Sequence, residues 1–335
     1  MVALTTTIST PIPLIEYAQG LPEASMTRIF VENMVKQSDL MEAVPFLPAT
    51  AGKRQFLDIS GTPTVSFRGL NAAGNQATGT FNLREEDTFF MDEYIYTDRA
   101  LVDRLGQEQR LKQLELKSIA ISQYFSAIFM KGDNISNSTQ PNGLQVRCNN
   151  PMTSGKGNLL YNSTSANGAV LSLGNLDLLY WQVNKPTHWI FPRTLMPYVD
   201  IAARNTSLVN QSFTYDNVAS ADGGKQGGDF GRRIAKYKGL PILFGYMPDD
   251  TPDMLPMTEI AYGGGTATTG SIYCVSLRDG GIYAIEQTPM SVVDEGIVPG
   301  QPQYSHHVKW DWGIAREHPY SVARLSSIAI GTIVA

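Results

Sequence analysis

Four histidines, His188, His306, His307 and His318, are the side chains best suited to proton transfer or metal ligation, and their spacing supports neither. None falls in HExxH, in a His-x-His pair with a carboxylate, or at Cys/His zinc spacing. His306 and His307 are neighbours in a stretch expected to be a strand, where successive side chains point to opposite faces and cannot chelate one ion. His318 precedes Pro319 and reads as a loop residue. Glycine clusters invite a phosphate-loop reading, yet Gly263-Gly264-Gly265 and Gly223-Gly224 with Gly227-Gly228 match neither GxxxxGK(S/T) nor GxGxxG, and they read as mobile loops. There is no GxSxG, and the carboxylate neighbours Glu85-Glu86, Asp92-Glu93 and Asp249-Asp250 sit at hairpin or loop edges, where solvation is expected. Catalytic, cofactor-binding and metal-binding residues are none on this reading, and an enzyme is not expected.

Composition points the same way. Of 335 residues 42% are hydrophobic, enough for two domains with real cores, while only 17% are charged. So low a charge density suits a surface largely covered by copies of itself, and composition alone fits an ordinary loop-rich monomer equally well. The formal net charge of −5, with no basic tail, does not support tight neutralisation of nucleic-acid phosphates. Arg232, Arg233, Lys236 and Lys238 form a mild basic cluster that reads as a solvated face. The N-terminus lacks the positive region and long apolar core of a signal peptide, and no window approaches about 18 apolar residues, so no membrane partner is expected. Cys148 and Cys274 are too few for a disulfide framework and fit a reducing cytoplasm.

The elements that would position any function read as α+β. Residues 1–24, with Pro11, Pro13 and Pro22, read as an extended arm, followed by a short helix near Ser25 to Ser38 with Ile29, Phe30, Met34 and Val35 inward. From Gly52 to Glu85 alternating residues predict a long two-stranded excursion with a turn-rich tip at Asn71 to Gly79, and Thr64 to Arg68 continuing the strand. Thr97 to Gly132 then reads as one helix of roughly 50 Å, with Leu111, Leu114, Ile121, Phe125 and Ile128 on its apolar face. An αβ unit follows, with a helix at Leu176 to Val183, a strand at His188 to Phe191 and a second helix opened by Pro192. Asp222 to Gly231 reads as a flexible loop and Leu240 to Tyr246 as a buried strand. Ser271 to Ser276 and Ile282 to Gln287 read as a strand pair across Asp279-Gly280-Gly281, and Arg324 to Val334 as a final apolar strand.

This order of elements resembles the major capsid proteins of tailed bacteriophages, the HK97-like fold. Local phrases are similar too: GDN…PNGLQ (Gly132 to Gln145), LDLLYWQVN…HWIFPRTLMPYV (Leu176 to Val199), YKGLPILF (Tyr237 to Phe244), SIYCVSLRDGGIYAIEQ (Ser271 to Gln287) and VKWDWGIAREHPYSVARL (Val308 to Leu325). The resemblance covers nearly the whole chain. It implies an N-terminal arm and short helix at 1–51, an extended loop at 52–85, and a peripheral domain at 86–171 and 256–313 with its spine helix at 97–131. An axial domain would occupy 172–255 and 314–335, and Asp294 to Tyr304 would be a loop near three-fold contacts.

The function implied is that of a shell subunit, assembling as hexamers and pentamers around packaged double-stranded DNA that it contacts weakly and without sequence specificity. Implied partners are copies of itself, a portal protein at one vertex and a decoration protein. Met1 begins about fifty residues before the extended loop, so a separate scaffolding protein is expected. Arg68, Arg84, Glu85 and Glu86 are the expected inter-subunit contacts, since an otherwise charge-poor hairpin carries them together. The loop's one lysine, Lys53, lies at its base, so autocatalytic crosslinking is not expected. An encapsulin compartment enclosing cargo enzymes is the alternative on the same fold, and a soluble enzyme the alternative outside it.

Overall fold

Apolar residues near the N-terminus form helices where an extended arm was expected. The computed structural model describes residues 12–22, 25–152, 157–204, 213–217, 233–244 and 254–334. A two-residue strand, β1 (Ile12–Pro13), leads into α1 (Leu14–Gln19), α2 (Met26–Lys36) and α3 (Asp39–Ala43). Leu14 and Ala18 of α1 are buried, as are Phe30, Val31, Met34 and Val35 of α2, whereas Ile29 faces outward. Three strands follow, β2 (Pro45–Pro48), β3 (Lys53–Gly61) and β4 (Thr80–Asp87), then a fourth, β5 (Phe89–Asp98). The expected strand at Thr64 to Arg68 is absent, because residues 62–79 form no ladder.

The single long helix is two helices, α4 (Arg99–Leu105) and α5 (Glu108–Lys131). Thr97 pairs in β5 with Tyr304, and Asp98 caps α4 by accepting from the Ala100 amide at 2.7 Å. Gly106 then takes φ +86°, open to glycine but costly for other residues, and the helix axis is interrupted. The remaining 24-residue spine spans about 36 Å at the α-helical rise. Leu114, Ile121 and Phe125 are buried as expected, while Leu111 is exposed. Ser118, Ser122 and Ser126 are buried too; their small side chains let neighbouring helices approach, and Ser126 Oγ meets Ser38 Oγ at 3.0 Å.

Beyond α5 come α6 (Leu144–Arg147), β6 (Leu159–Tyr161), β7 (Ala169–Ser172), α7 (Leu173–Gln182), β8 (His188–Ile190), a 3-10 turn (Arg193–Leu195) and α8 (Met196–Arg204). The strands β9 (Phe213–Asn217), β10 (Arg233–Tyr237), β11 (Leu240–Leu243) and β12 (Glu259–Ile260) precede β13 (Thr268–Val275), β14 (Ile282–Ile297), β15 (Gln303–Arg316) and β16 (Val322–Val334). The loop Asp222 to Gly231, Arg232 and the pair Asp249-Asp250 lie outside the described residues.

Two large sheets organise these strands. One has five strands in the order β1-β2-β14-β15-β5; the other has the path β6-β16-β13-β8-β11-β10-β9, with β7 on β16 and β12 on β13. The expected hairpin across Asp279-Gly280-Gly281 does not form. β13 joins β8 and β16 in the nine-stranded sheet, and β14 joins β2 and β15 in the five-stranded one. The glycine turn is a crossing between sheets. The sheets therefore cut the chain differently from the domain boundaries drawn on the sequence: strands at 159–172 and 259–275 share a sheet with those at 188–243 and 322–334.

Two main cores result, and the first, against the five-stranded sheet, also takes in Ile190, Leu243, Tyr273, Val275 and Val322 from strands of the nine-stranded one. Phe125 of α5 lies among Phe46, Phe129, Trp310 and Trp312, with ring centroids 4.6 to 6.1 Å apart. Such rings bury about 150–250 Å² each, so this cluster ties the spine to the five-stranded sheet. In the other core Trp189 packs edge-on against Phe191 and Tyr237 and donates from Nε1 to the Tyr237 carbonyl at 3.2 Å.

Candidate assembly surfaces

Among the described residues strands β3 and β4 pair only with each other, and their side chains change character along the ribbon. On one face, from base to tip, the opposed pairs are Lys53 with Asp87, Gln55 with Glu85, and Leu57 with Leu83. The base pairs are polar and bonded within the ribbon: Lys53 Nζ lies 3.1 Å from Glu85 and 3.6 Å from Asp87, and Gln55 donates to Glu85 at 2.5 Å. These bonds hold the Glu85 carboxyl below the usual carboxylate range and the Lys53 ammonium above its own. Farther out the surface becomes apolar. Val65, Phe67 and Leu70 stand 95%, 107% and 98% exposed. The tip is shaped by local bonds, Arg68 to the Ala72 carbonyl at 3.0 Å and Asn75 to the Thr64 carbonyl at 2.8 Å.

The four charged residues expected at subunit contacts thus have different surroundings. Arg68 is at the exposed tip, Glu85 is engaged with Lys53 and Gln55, and Arg84 stands opposite Phe56 on the face that carries Glu86. Glu86 is held inside its own subunit. Arg147 meets it in a bidentate pair, Nη1 to Oε1 at 2.6 Å and Nη2 to Oε2 at 2.9 Å. Arg147 is buried at 9% exposure and also donates to the carbonyls of Asn142 and Ile314, each at 2.8 Å. Sequence patterning missed Arg147, since one arginine after an Asn-Gly turn carries no signal of burial.

The second surface is the open edge of the five-stranded sheet. β5 is its terminal strand, and alternate residues Phe90, Tyr94 and Tyr96 face outward. Tyr94 stacks on His307 with centroids 4.2 Å apart, and His307 is held between Asp92 and Glu295. His306 points to the other face, where Arg110 of α5 lies 3.2 Å away and bonds Asp294 at 2.6 Å. Burial and the Arg110 charge hold the His306 imidazole below its ordinary pKa. The two histidines are separated by the sheet, as adjacent strand residues must be. Between β5 and α5 runs a groove of ≈ 370 Å³, lined by Phe90, Tyr124, Ile128 and Trp312, with Asp92 and Glu93 among its polar groups.

Among the described residues no cluster of three or more His, Cys, Asp or Glu could hold a metal ion, and no helix is long and apolar enough to cross a membrane. Burial pushes the Cys148 thiol up to about 12 and Cys274 well above the ordinary range, so both thiols are protonated. Lys238 of the basic cluster is paired with Asp177 at 2.8 Å and lies over the Tyr180 ring.

A protruding two-stranded ribbon, a spine helix under a five-stranded sheet and an αβ unit make up the HK97-like fold, which solved structures share. The capsid of the native GTA particle is 15% identical, with a TM-score of 0.58 over 87% of this chain and 90% of the other. The holo-SrpI encapsulin of Synechococcus elongatus is 16% identical, with a TM-score of 0.57 over 87% of each chain. The Mycobacterium phage Bobi structure is 10% identical, with a TM-score of 0.52 over 99% of this chain and 95% of the other. No curated protein matches in sequence. Residues 22–208, more than half of the chain, match the family of major capsid protein GP7, and the chain belongs to that family. It is a phage capsid subunit, which assembles into the oligomeric shell of a virion.

Proposed function

We propose that the protein forms the head of a tailed phage by closing into hexamers and pentamers, which tile an icosahedral or prolate shell around double-stranded DNA. The observation that carries this is the hairpin. A ribbon with three large apolar side chains almost fully exposed at its tip gains nothing from its own subunit, and a second copy would remove them from water at about 25 cal/mol per Å². In this reading the hairpin lies across the neighbouring subunit, the five-stranded sheet with its spine belongs to the peripheral domain, and the nine-stranded sheet forms the axial domain. Arg68 and Arg84 are the charged contacts we favour at the hairpin interface, with Glu85 and Glu86 holding the ribbon's base. A repeated heterologous contact of this kind closes into rings.

Assembly would take place in the host bacterial cytoplasm with a scaffolding protein, and a portal would occupy one vertex. A decoration protein would add to contacts that are noncovalent throughout. The net charge of −5 supports a wall that confines DNA without gripping it. The encapsulin reading shares the fold, but the capsid family match favours a genome over cargo enzymes. Electron microscopy of the full chain, made with the genes that flank it, tests the proposal. Shells holding nuclease-protected DNA, or empty shells of matching size, are expected; shells filled with protein would replace it with the encapsulin reading.

A further inference from the structure

Among the described residues the far part of the hairpin has no neighbours in its own subunit, so its direction in space is decided at its base. Within β4 every residue is exposed except Glu86. Directly opposite Glu86 on β3 stands Arg54. This rung meets the body of the subunit through its side chains, beside the backbone approach of Gly313 to Asp87. Glu86 accepts the bidentate pair from buried Arg147, and the Arg54 charge is close enough to act on the Tyr283 hydroxyl, which donates to Glu317 at 2.6 Å. Tyr283 belongs to β14 and Glu317 follows β15, while Arg147 sits in α6 beyond the spine. The rung thus meets two different parts of the fold.

Other contacts at the base act on the backbone, among them the close approach of Gly313 to the Asp87 carbonyl. Thr88 donates its amide to the Gly52 carbonyl at 2.9 Å, and Gln287 Oε1 accepts from the Gly52 amide at 3.0 Å. Those bonds, with that from the Thr88 hydroxyl to the Gly52 carbonyl at 3.3 Å, close the neck where the ribbon leaves the sheet, and bonds confined to one neck define a hinge. A second point of attachment, off that axis, fixes the angle. We infer that the rung Arg54–Glu86, clamped at Glu86 by Arg147, sets the pitch of the hairpin, and that Glu86 and Arg147 are positioning residues for shell geometry. The inference rests on the hairpin's bridging role proposed above. Arg147 is suited to the task because its remaining donors bind the Asn142 and Ile314 carbonyls, which lock its planar head before the carboxylate arrives.

The test uses the full chain, first as unassembled subunit and then assembled with its flanking genes. In Glu86→Ala, hydrogen exchange at residues 53–57 and 83–88 is expected to rise about tenfold with β14 and β15 unchanged. Its shells should lose their single diameter. Glu86→Gln, which keeps one acceptor, should restore most of both. Arg54→Ala leaves no buried charge without a partner and should act in the same direction; it decides the matter if Glu86→Ala fails to fold. Wild-type diameters with unchanged exchange at the base would overturn the inference, as would exchange rising equally across β14 and β15. Replacing residues 64–77 by a short Gly-Ser turn tests the bridging role separately: shells that still form would remove that role whatever the Glu86 variants do.

Discussion

The molecule contains two long antiparallel ribbons of opposite physical character. β14 and β15, of 16 and 14 residues, run side by side through the five-stranded sheet, and their inner face carries Met290, Val308, Trp310, Trp312 and Ile314 into the core. β3 and β4 have the same antiparallel ladder and the same alternation, yet no core covers either face. The first ribbon is stabilised by the subunit it belongs to. An isolated two-stranded ribbon is marginal in water, so the second keeps its shape through its polar base and gains burial only in an assembly. Identical backbone pairing can therefore serve folding in one place and association in another, and the difference lies in where the apolar side chains end up.

The widest separation between the ribbons should come from their aromatic residues. Trp310→Ala, in the buried ribbon, leaves a cavity against Phe46, Phe125 and Trp312 and should cost about 3–5 kcal/mol in a denaturant titration. Phe67→Ser, at the free tip, should leave that titration within about 0.5 kcal/mol of wild type while abolishing shells in sedimentation. If Phe67→Ser destabilises the isolated subunit as Trp310→Ala does, the contrast collapses.

A contact where the two ribbons meet comes next. Gly313 of β15 passes so close to β4 that an added Cβ would lie 2.3 Å from the Asp87 carbonyl oxygen. Gly313→Ala should force a shift costing about 1–3 kcal/mol and disturb assembly as well, a double effect that neither aromatic variant shows. Acid just below neutrality should act on buried residues first. Burial holds His306 and His188 below the ordinary imidazole pKa, so the unfolded chain takes up these protons first. Stability should be level above about pH 6.5 and fall as pH drops below it, with a shallower slope in His306→Gln. The smallest effect is expected from Lys53→Met, whose exposed ion pairs with Glu85 and Asp87 are solvent-screened; a thermal melt should not move measurably.

Local patterning read several elements closely. Alternation located the hairpin within two residues of its observed ends at Lys53 and Asp87, because a ribbon without a core depends on its own sequence. Helices α7 and α8 and strands β8 and β16 were legible for the same local reasons. The helix at Thr97 to Gly132 was misjudged in its first third: Thr97 and Asp98 are drawn into β5 by pairing with Tyr304 and Gln303, some two hundred residues away. Ile29 and Leu111 match the helical period but face outward, since no partner element covers them.

The candidate surface residues divide likewise. That Arg68, Arg84, Glu85 and Glu86 share one hairpin is a fact of sequence; that Glu86 alone turns inward to a buried arginine sixty-one residues on is not. By itself the chain's sequence determined the period of each strand and helix, the shortage of charge, the protruding ribbon and the absence of recognisable catalytic spacing, since these depend on neighbours within a few residues. The tertiary structure decided which sheet each strand joined, where the spine breaks and what holds the hairpin's base. Those outcomes depend on contacts between distant segments, where burial of shared apolar surface and of one fixed charge outweighs local preference.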